Sequence, residues 1–426
     1  MAQAELPLLT GSASSESGTE PRFLGTPLSI VLLRTWGGLG IALAIVTLIH
    51  PSAHTVFPIY ARGSFRWWHD LSLYVTFTDM DLYRYSPTFA IVTSPITLLG
   101  HTVGGILWHW LCLGVLLLGL YRAEKVLLPG QRTAWGRTIF LLLSILLALT
   151  GLWNNQCNAL IVGMMLLGSC ALARGQWWSS AAWLGGAVVL KLTILPIILL
   201  ISALYPRQVG WRIMIVVLIG AIIPFLTRPP SIVIFQYQAW HQQMKQTSTQ
   251  RWPGFRDAWL VWQIFEHRVL LGKAGKPDLE ARFHSSVYRG IQFLSAFLVL
   301  LWCAWIHRKH KDVRWSLTFL LSMGCAWSML FGPATEHPTY VFLAPFLAWA
   351  FVERARWPRW KWLLTLSSVL VFVLGWRALT VHWWQSFPWF LTALPLGTSL
   401  FMGWLFFTGG DPKRAKLAKP EVIHFS

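Results

Sequence analysis

Residues 153–200 read WNNQCNALIVGMMLLGSCALARGQWWSSAAWLGGAVVLKLTILPIILL. An amide-rich turn, Asn154-Asn155-Gln156-Cys157-Asn158, opens onto an apolar run at 159–172, and a short Arg174-Gly175 turn follows. A second apolar stretch, 180–204, then carries Lys191 in its middle and Pro196 just after it. Runs of this kind belong in hydrocarbon, where a spanning helix needs about 20 mostly apolar residues. A lysine inside such a run is costly unless it faces protein or water, so by default it marks a functional position.

The same pattern extends in both directions. Further apolar runs lie at 27–49, 102–121, 138–152, 213–225, 287–306, 315–331, 340–352, 362–379 and 390–407. Composition agrees with them: 55% of the 426 residues are hydrophobic and 12% charged. Soluble domains carry roughly 25% charged residues, so this chain cannot cover a water-facing surface. Many of the 28 tryptophans sit at the ends of the runs, as in an interfacial aromatic belt. The net charge of +19 does not point to nucleic acid, because the lysines and arginines lie in short loops between runs rather than on one face or tail. The five cysteines, Cys112, Cys157, Cys170, Cys303 and Cys325, lie in or beside apolar segments without CxxC or Cys/His metal spacing. They read as small buried apolar side chains.

The positive charges set the topology. Arg122, Lys125, Arg132 and Arg137 share one loop, Arg174 lies in a second, and Arg207 and Arg212 bracket a third. HRKHKDVR at 307–314, ERARWPRWK at 353–361 and the tail with Lys413, Arg414, Lys416 and Lys419 complete the set. The positive-inside rule places all of them in the cytoplasm. Arg174 and Arg207 share a side only if 180–204 is a hairpin of two short helices broken near Lys191, which is tolerated where the break lines a cavity. The other reading is one long tilted helix with a snorkelling lysine. With the hairpin, the fold is an all-α polytopic membrane protein of about ten full spans plus the broken pair, roughly 12 helices, with both termini cytoplasmic. Residues 1–26 read as a disordered cytoplasmic tail without the basic and apolar order of a signal peptide. Residues 27–409 read as a single transmembrane domain, and 410–426 as a basic cytoplasmic tail. Outer loops fall at 50–87, 153–158, near Lys191, at 227–286, 332–338 and 381–388. The run 88–100 is too short to span and reads as an interfacial helix. Trp-rich 251–268 is expected to rest on the outer surface.

Residues suited to chemistry gather on that outer face. Asp70, in RWWHDLSLY, is either a general base beside Trp67, Trp68 and Tyr74, whose rings can stack on a sugar, or a carboxylate paired with Arg66 four residues earlier. Asp79 and Asp81 in TDMDLYRYSP are rivals for the base. Lys191 calls for an anion, and a lipid phosphate is the anion available at its depth. The amides of Asn155, Gln156 and Asn158 either bind hydroxyls and phosphate oxygens or cap a polar turn. Glu336 and His337, in GPATEHP, offer acid/base groups, a phosphate contact or a helix cap. No nucleotide-binding motif occurs, which argues against an ATP-driven pump.

These four places, in this order, resemble family 87 of the glycosyltransferases, membrane enzymes of the GT-C class that use polyprenyl-phosphate sugars. The segment from Gln156 to Pro196 carries the strongest likeness: an amide turn, an apolar helix, an Arg-Gly turn, and a Gly-rich stretch ending in Lys and Pro. Asn155 stands where the family usually has Gly. DLSLY at 70–74 is similar to the family's D-x-x-x-Y, and GPATEHP to its Ser-Pro…His segment, with Gly332 in place of Ser. The resemblance implies Asp70 and His337 as catalytic residues. It implies Lys191, Gln156, Asn158, Asn155, Tyr74 and Glu336 as substrate contacts, with no metal or cofactor. The implied reaction moves a sugar, mannose by analogy, from a polyprenyl-phosphate donor to a hydroxyl of a glycolipid or glycan acceptor, with inversion. The implied setting is a bacterial cytoplasmic membrane, among its lipids, with the site facing outward. The alternative is a transporter or flippase of a lipid-linked sugar, disfavoured because the broken element has no second copy.

Overall fold

The computed structural model describes residues 22–23, 26–51, 56–77, 80–130, 133–249, 254–272, 285–310, 312–332, 335–375 and 388–409. Asp79 and the 410–426 tail lie outside these residues, as do 1–21. Of the expected N-terminal tail, Arg22–Phe23 and Thr26–Pro27 pair as a two-rung antiparallel ladder, so its last residues have defined structure.

The helices are α1 (Leu28–Ile49), α2 (Phe57–Trp68), α3 (Pro87–Thr97), α4 (Gly100–Val126), α5 (Ala134–Trp153), α6 (Asn158–Ala173), α7 (Trp177–Leu190) and α8 (Leu195–Leu204). They continue with α9 (Trp211–Ile222), α10 (Pro230–Thr249), α11 (Ala258–Phe265), α12 (Ser285–Lys309), α13 (Val313–Phe331), α14 (Ala344–Val352), α15 (Lys361–Ser368) and α16 (Ala393–Thr408). Among the described residues, six helical segments are long and apolar enough to cross a membrane: 28–49, 100–126, 134–153, 206–226, 286–309 and 389–408. Shorter apolar segments lie at 158–173, 192–204 and 361–374.

The break at Lys191 is real. α7 ends because Lys191 is extended, with φ −151° and ψ 120°. A single 3-10 turn, Leu192–Ile194, redirects the chain, and α8 opens with Pro196 in its first turn, where the missing N–H costs nothing. Direction follows from side-chain neighbours. Trp178 near the start of α7 meets Trp211 at the start of α9, Gly185 faces Val216, and Val189 near the end of α7 faces Gly220. α7 and α9 therefore run parallel, and α8 between them runs back, giving the hairpin rather than a single tilted helix.

α4 and α6 are also parallel, and they touch backbone to backbone. A side-chain carbon placed on Gly163 would fall 2.4 Å from the Val115 carbonyl oxygen, and one on Gly119 would fall 2.8 Å from that of Gly163. Small residues permit such approach where the surrounding lipid offers no hydrophobic drive for helix association. α6 is buried over nearly its whole length, and all five cysteines are buried and free. At one end of this frame the break after α7 meets the first residue of α6 through Lys191 and Asn158.

α3 is the short helix expected at 88–100; it is capped by the Ser86 side chain and packs on α2 through the Ser64 hydroxyl, 2.8 Å from the Ala90 carbonyl. One expectation is overturned. The 251–268 segment does not simply rest on the surface: Phe255, Arg256 and Asp257 are buried, and Phe255 pairs with Glu336 in an antiparallel bridge. Asp257 caps α11 by accepting from Leu260 N at 3.0 Å, which turns Leu260 and Ile264 inward and leaves Trp262 exposed. Residues 251–253 lie outside the described part.

Candidate active site

Lys191 is held at the helix break, half-buried. Its Nζ donates to Asn158 Oδ1 at 2.6 Å and sits 5.7 Å from the centre of the Tyr85 ring. Asn158 is the first residue of α6, so its backbone lies at a helix N-terminus, where unpaired N–H groups favour anions. Its Nδ2 donates to Gln156 Oε1 at 3.0 Å and to the Pro338 carbonyl at 3.2 Å. Three of the sequence-predicted contacts thus meet, Lys191, Asn158 and Gln156, and the segment holding Glu336 and His337 is tied to them through Pro338.

Glu336 lies in the same field. Burial lifts its carboxyl above the ordinary glutamate range; Arg84, Lys191 and Arg256 draw it back, and Asp81 adds to the lift. Asp81 itself is exposed and engaged by both terminal nitrogens of Arg84, at 2.8 and 3.0 Å. His337 is buried, and its Nε2 lies 2.7 Å from the Gly375 carbonyl, which it reaches as donor. That bond anchors the 3-10 turn His337–Phe342 to the end of the π-helical turn Val369–Leu374. His337 therefore holds this segment in place, with its Nε2 proton committed to a backbone carbonyl.

Asn155 takes the second of the two roles open to it, that of shaping the turn. It adopts φ +58°, the left-handed conformation that Gly or Asn accepts most readily, and so ends α5. It is buried, and its Nδ2 faces the Gly105 carbonyl of α4 at 3.4 Å. The chain needs Gly or Asn here for the backbone, which accounts for an asparagine in the glycine's place. Tyr74 is likewise drawn inward: its hydroxyl donates to the Tyr85 carbonyl at 2.8 Å, placing the ring that lies beneath Lys191. Burial holds the Tyr74 phenol well above its ordinary range, so it stays a neutral donor.

Asp70 stands apart from this cluster. It follows α2 with φ +56°, is about half exposed, and pairs with Arg228 Nε at 2.7 Å, not with Arg66. Arg66 turns instead to the Ser72 carbonyl and the Phe77 ring. Arg228 also donates to the Trp67 and Trp68 carbonyls and lies 5.3 Å from the centre of the Trp68 ring. Trp67 is buried, its Nε1 on Thr227 Oγ1, so of the two tryptophans Trp68 is the one that presents a face to solvent. The loop after Asp70 is fixed by Gln236 of α10, which accepts from Leu73 N at 3.0 Å and donates to the Leu71 carbonyl at 2.9 Å. Tyr74, four residues after Asp70, bonds the Tyr85 carbonyl, and the Tyr85 ring lies beside Lys191.

Sequence reading missed three arginines, Arg84, Arg228 and Arg256. A signal was available. Arginines are scarce on the outer side of a membrane protein, and each of these falls in a loop assigned there. An exception to the positive-inside pattern needs a local anion, and each has an acid in its surroundings.

No curated protein matches the chain. Residues 83–333 match the model of glycosyltransferase family 87, well over half of the sequence. The match takes in Arg84, Gln156, Asn158, Lys191, Arg228 and Arg256, and stops short of Asp70 and Asp81 on one side and Glu336 and His337 on the other. With a helical membrane architecture built around that segment, the chain belongs to glycosyltransferase family 87 and is an integral-membrane glycosyltransferase.

Proposed function

We propose that the protein transfers a sugar from a polyprenyl-phosphate donor to an acceptor hydroxyl on the outer, non-cytoplasmic face of the membrane. The observation that carries this reading is the lysine at the helix break, bonded to the first residue of α6 at 2.6 Å. A cation and a helix N-terminus converging at the lipid–water boundary suit a lipid-borne phosphate. Lys191, Asn158 and Gln156 receive that phosphate. Asp70 accepts the proton of the acceptor hydroxyl as its oxygen attacks the anomeric carbon. The bond from that carbon to the phosphate oxygen breaks on the opposite face, and polyprenyl phosphate leaves with one more negative charge, which Lys191 offsets. One displacement inverts the anomeric configuration. Arg228 keeps the Asp70 carboxylate aimed. His337, Tyr74 and Asn155 position backbone and neighbours. Mannose is the sugar by family analogy; the acceptor is a glycolipid or glycan, and the setting is a bacterial cytoplasmic membrane.

The test uses the purified full-length protein in nanodiscs with labelled short-chain polyprenyl-phosphate mannose and a crude lipid acceptor. Label is expected in a new lipid product of inverted anomeric configuration. Transfer from a nucleotide sugar but not from the polyprenyl phosphate would overturn the donor assignment. Lys191→Met should weaken donor binding by about tenfold to a hundredfold, the scale of a lost charge-assisted hydrogen bond.

A further inference from the structure

Lys191 belongs to a closed circuit of contacts, and Tyr85 is the member of it that the proposed reaction leaves without a part. Lys191 Nζ donates to Asn158 Oδ1 at 2.6 Å and lies 5.7 Å from the centre of the Tyr85 ring. The Tyr85 hydroxyl is bonded to that of Tyr60 at 2.9 Å, and the Tyr60 oxygen accepts from Cys157 N at 3.2 Å. Cys157 precedes Asn158 in the amide turn, so the circuit closes on the residue that Lys191 bonds.

Tyr85 is firmly held within this circuit. It is 8% exposed, and Tyr60 is fully buried. Phe89 stacks on the Tyr85 ring, with centres 4.4 Å apart and planes at 22°, and Tyr60 stands edge-on to it at 5.0 Å. The Tyr85 carbonyl accepts from the Tyr74 hydroxyl at 2.8 Å. The next residue, Ser86, donates its hydroxyl at 2.8 Å to the Val189 carbonyl, in the last turn of α7, where carbonyls lack a partner within the helix. Residues 85–86 therefore reach the backbone before the helix break, the ammonium at the break, and, through Tyr60, the amide turn that faces it. A lysine carries its charge on a flexible four-carbon stem, so directing that charge at one phosphate requires a fixed neighbour. An immobile aromatic ring within about 6 Å supplies one, because the attraction acts on the charge rather than along a single N–H.

We infer that Tyr85 is a positioning residue of the donor site. Its ring holds the Lys191 ammonium where the donor phosphate meets it, and its hydroxyl, through Tyr60, keeps the amide turn aligned with that charge. The inference rests on the polyprenyl-phosphate reading above.

The experiment measures binding of short-chain polyprenyl phosphate, and of the uncharged polyprenol of equal length, to the protein in nanodiscs without acceptor. The proteins are the natural chain, Tyr85→Leu, Tyr85→Phe, Lys191→Met and the two double variants, each followed by thermal unfolding. Tyr85→Leu is expected to raise the Kd for the phosphate by about threefold to tenfold, with polyprenol binding unchanged. Tyr85→Phe keeps the ring and should lose about twofold to threefold. Neither change should weaken binding further once Lys191 is Met, the mark of a residue that acts through the lysine. Equal losses for phosphate and polyprenol, or losses that persist beside Lys191→Met, would give Tyr85 a structural role only and overturn the inference. If Lys191→Met weakens phosphate binding while Tyr85→Leu binds as the natural chain does, the inference is overturned and the donor reading stands. If Lys191→Met is without effect, the donor reading itself fails. Should Tyr85→Leu not fold, Tyr85→Phe decides by the same comparison: natural affinity for the phosphate, or a loss that persists beside Lys191→Met, overturns the proposal.

Discussion

Asp70 and Glu336 are both acids in loops expected on one side of the membrane, and they differ in nearly every physical respect. Asp70 is half exposed, sits on a left-handed backbone turn, and has one guanidinium beside it. Glu336 is half-buried, bridges in strand fashion to Phe255, and feels the charges of Arg84, Lys191, Arg256 and Asp81. An open carboxylate can exchange a proton with an arriving hydroxyl, whereas one placed among several cations serves to organise charge. On the proposed reading, Asp70 therefore belongs with the acceptor and Glu336 with the donor.

The sharpest way to break that division is to neutralise the acids one at a time. Asp70→Asn is expected to lower kcat by about 100-fold to 10,000-fold, the contribution typical of a general base. Asp81→Asn, which removes the partner of Arg84, should change kcat by less than about threefold, since an exposed pair contributes under about 1 kcal/mol. Steady-state transfer kinetics on the two variants check both, and the opposite ranking would move the base to Asp81.

Glu336→Gln tests the donor side through pH. The folded-state carboxyl lies above its unfolded value, so the folded protein binds more protons in the interval between the two. Stability is therefore greatest below the unfolded value and declines as pH rises through the folded one. Unfolding temperature measured against pH in nanodiscs should show that decline in the natural chain and lose it in Glu336→Gln. A decline of equal slope in both would show that burial does not lift the Glu336 carboxyl.

Arg228→Met addresses the acceptor side. Losing the cation that aims Asp70 should lower kcat about fivefold, with donor KM unchanged, in keeping with a partly exposed pair worth about 1 kcal/mol. A rise in donor KM instead would show that Arg228 serves the donor rather than Asp70. The smallest effect is expected from Trp68→Leu, which removes the ring beside Arg228: about a twofold loss of kcat, matching a partly exposed cation–π contact of about 0.5 kcal/mol. No change at all would leave the ring without a part in holding Arg228.

Much of the frame was legible in advance because hydrocarbon imposes strict rules. The expected runs at 27–49, 138–152 and 159–172 appear as Leu28–Ile49, Ala134–Trp153 and Asn158–Ala173. The break at Lys191 was readable because a charge and a proline in an apolar run leave the backbone few options. Within the site, the meeting of Lys191 with Asn158 and Gln156 was foreseen. The inward turn of Asn155 was not, because an amide near a site looks the same whether it serves a ligand or a left-handed helix end. Nor was the ion pair between Asp70 and Arg228, since an i, i+4 arginine at Arg66 is the partner that local spacing suggests.

By itself the sequence settled the helical membrane class, several of the long apolar helices, the broken hairpin and the lysine at its tip, because those depend on local hydrophobicity and on the cost of unpaired groups in lipid; it left the helices Phe57–Trp68 and Pro230–Thr249 as loops. Only the tertiary structure decided which acid meets which cation, that Arg256 lies buried beside Glu336, and that His337 spends a nitrogen on Gly375. Those pairings join residues from distant loops, and their choice depends on how close helices such as α4 and α6 can pack, a distance that no local pattern encodes.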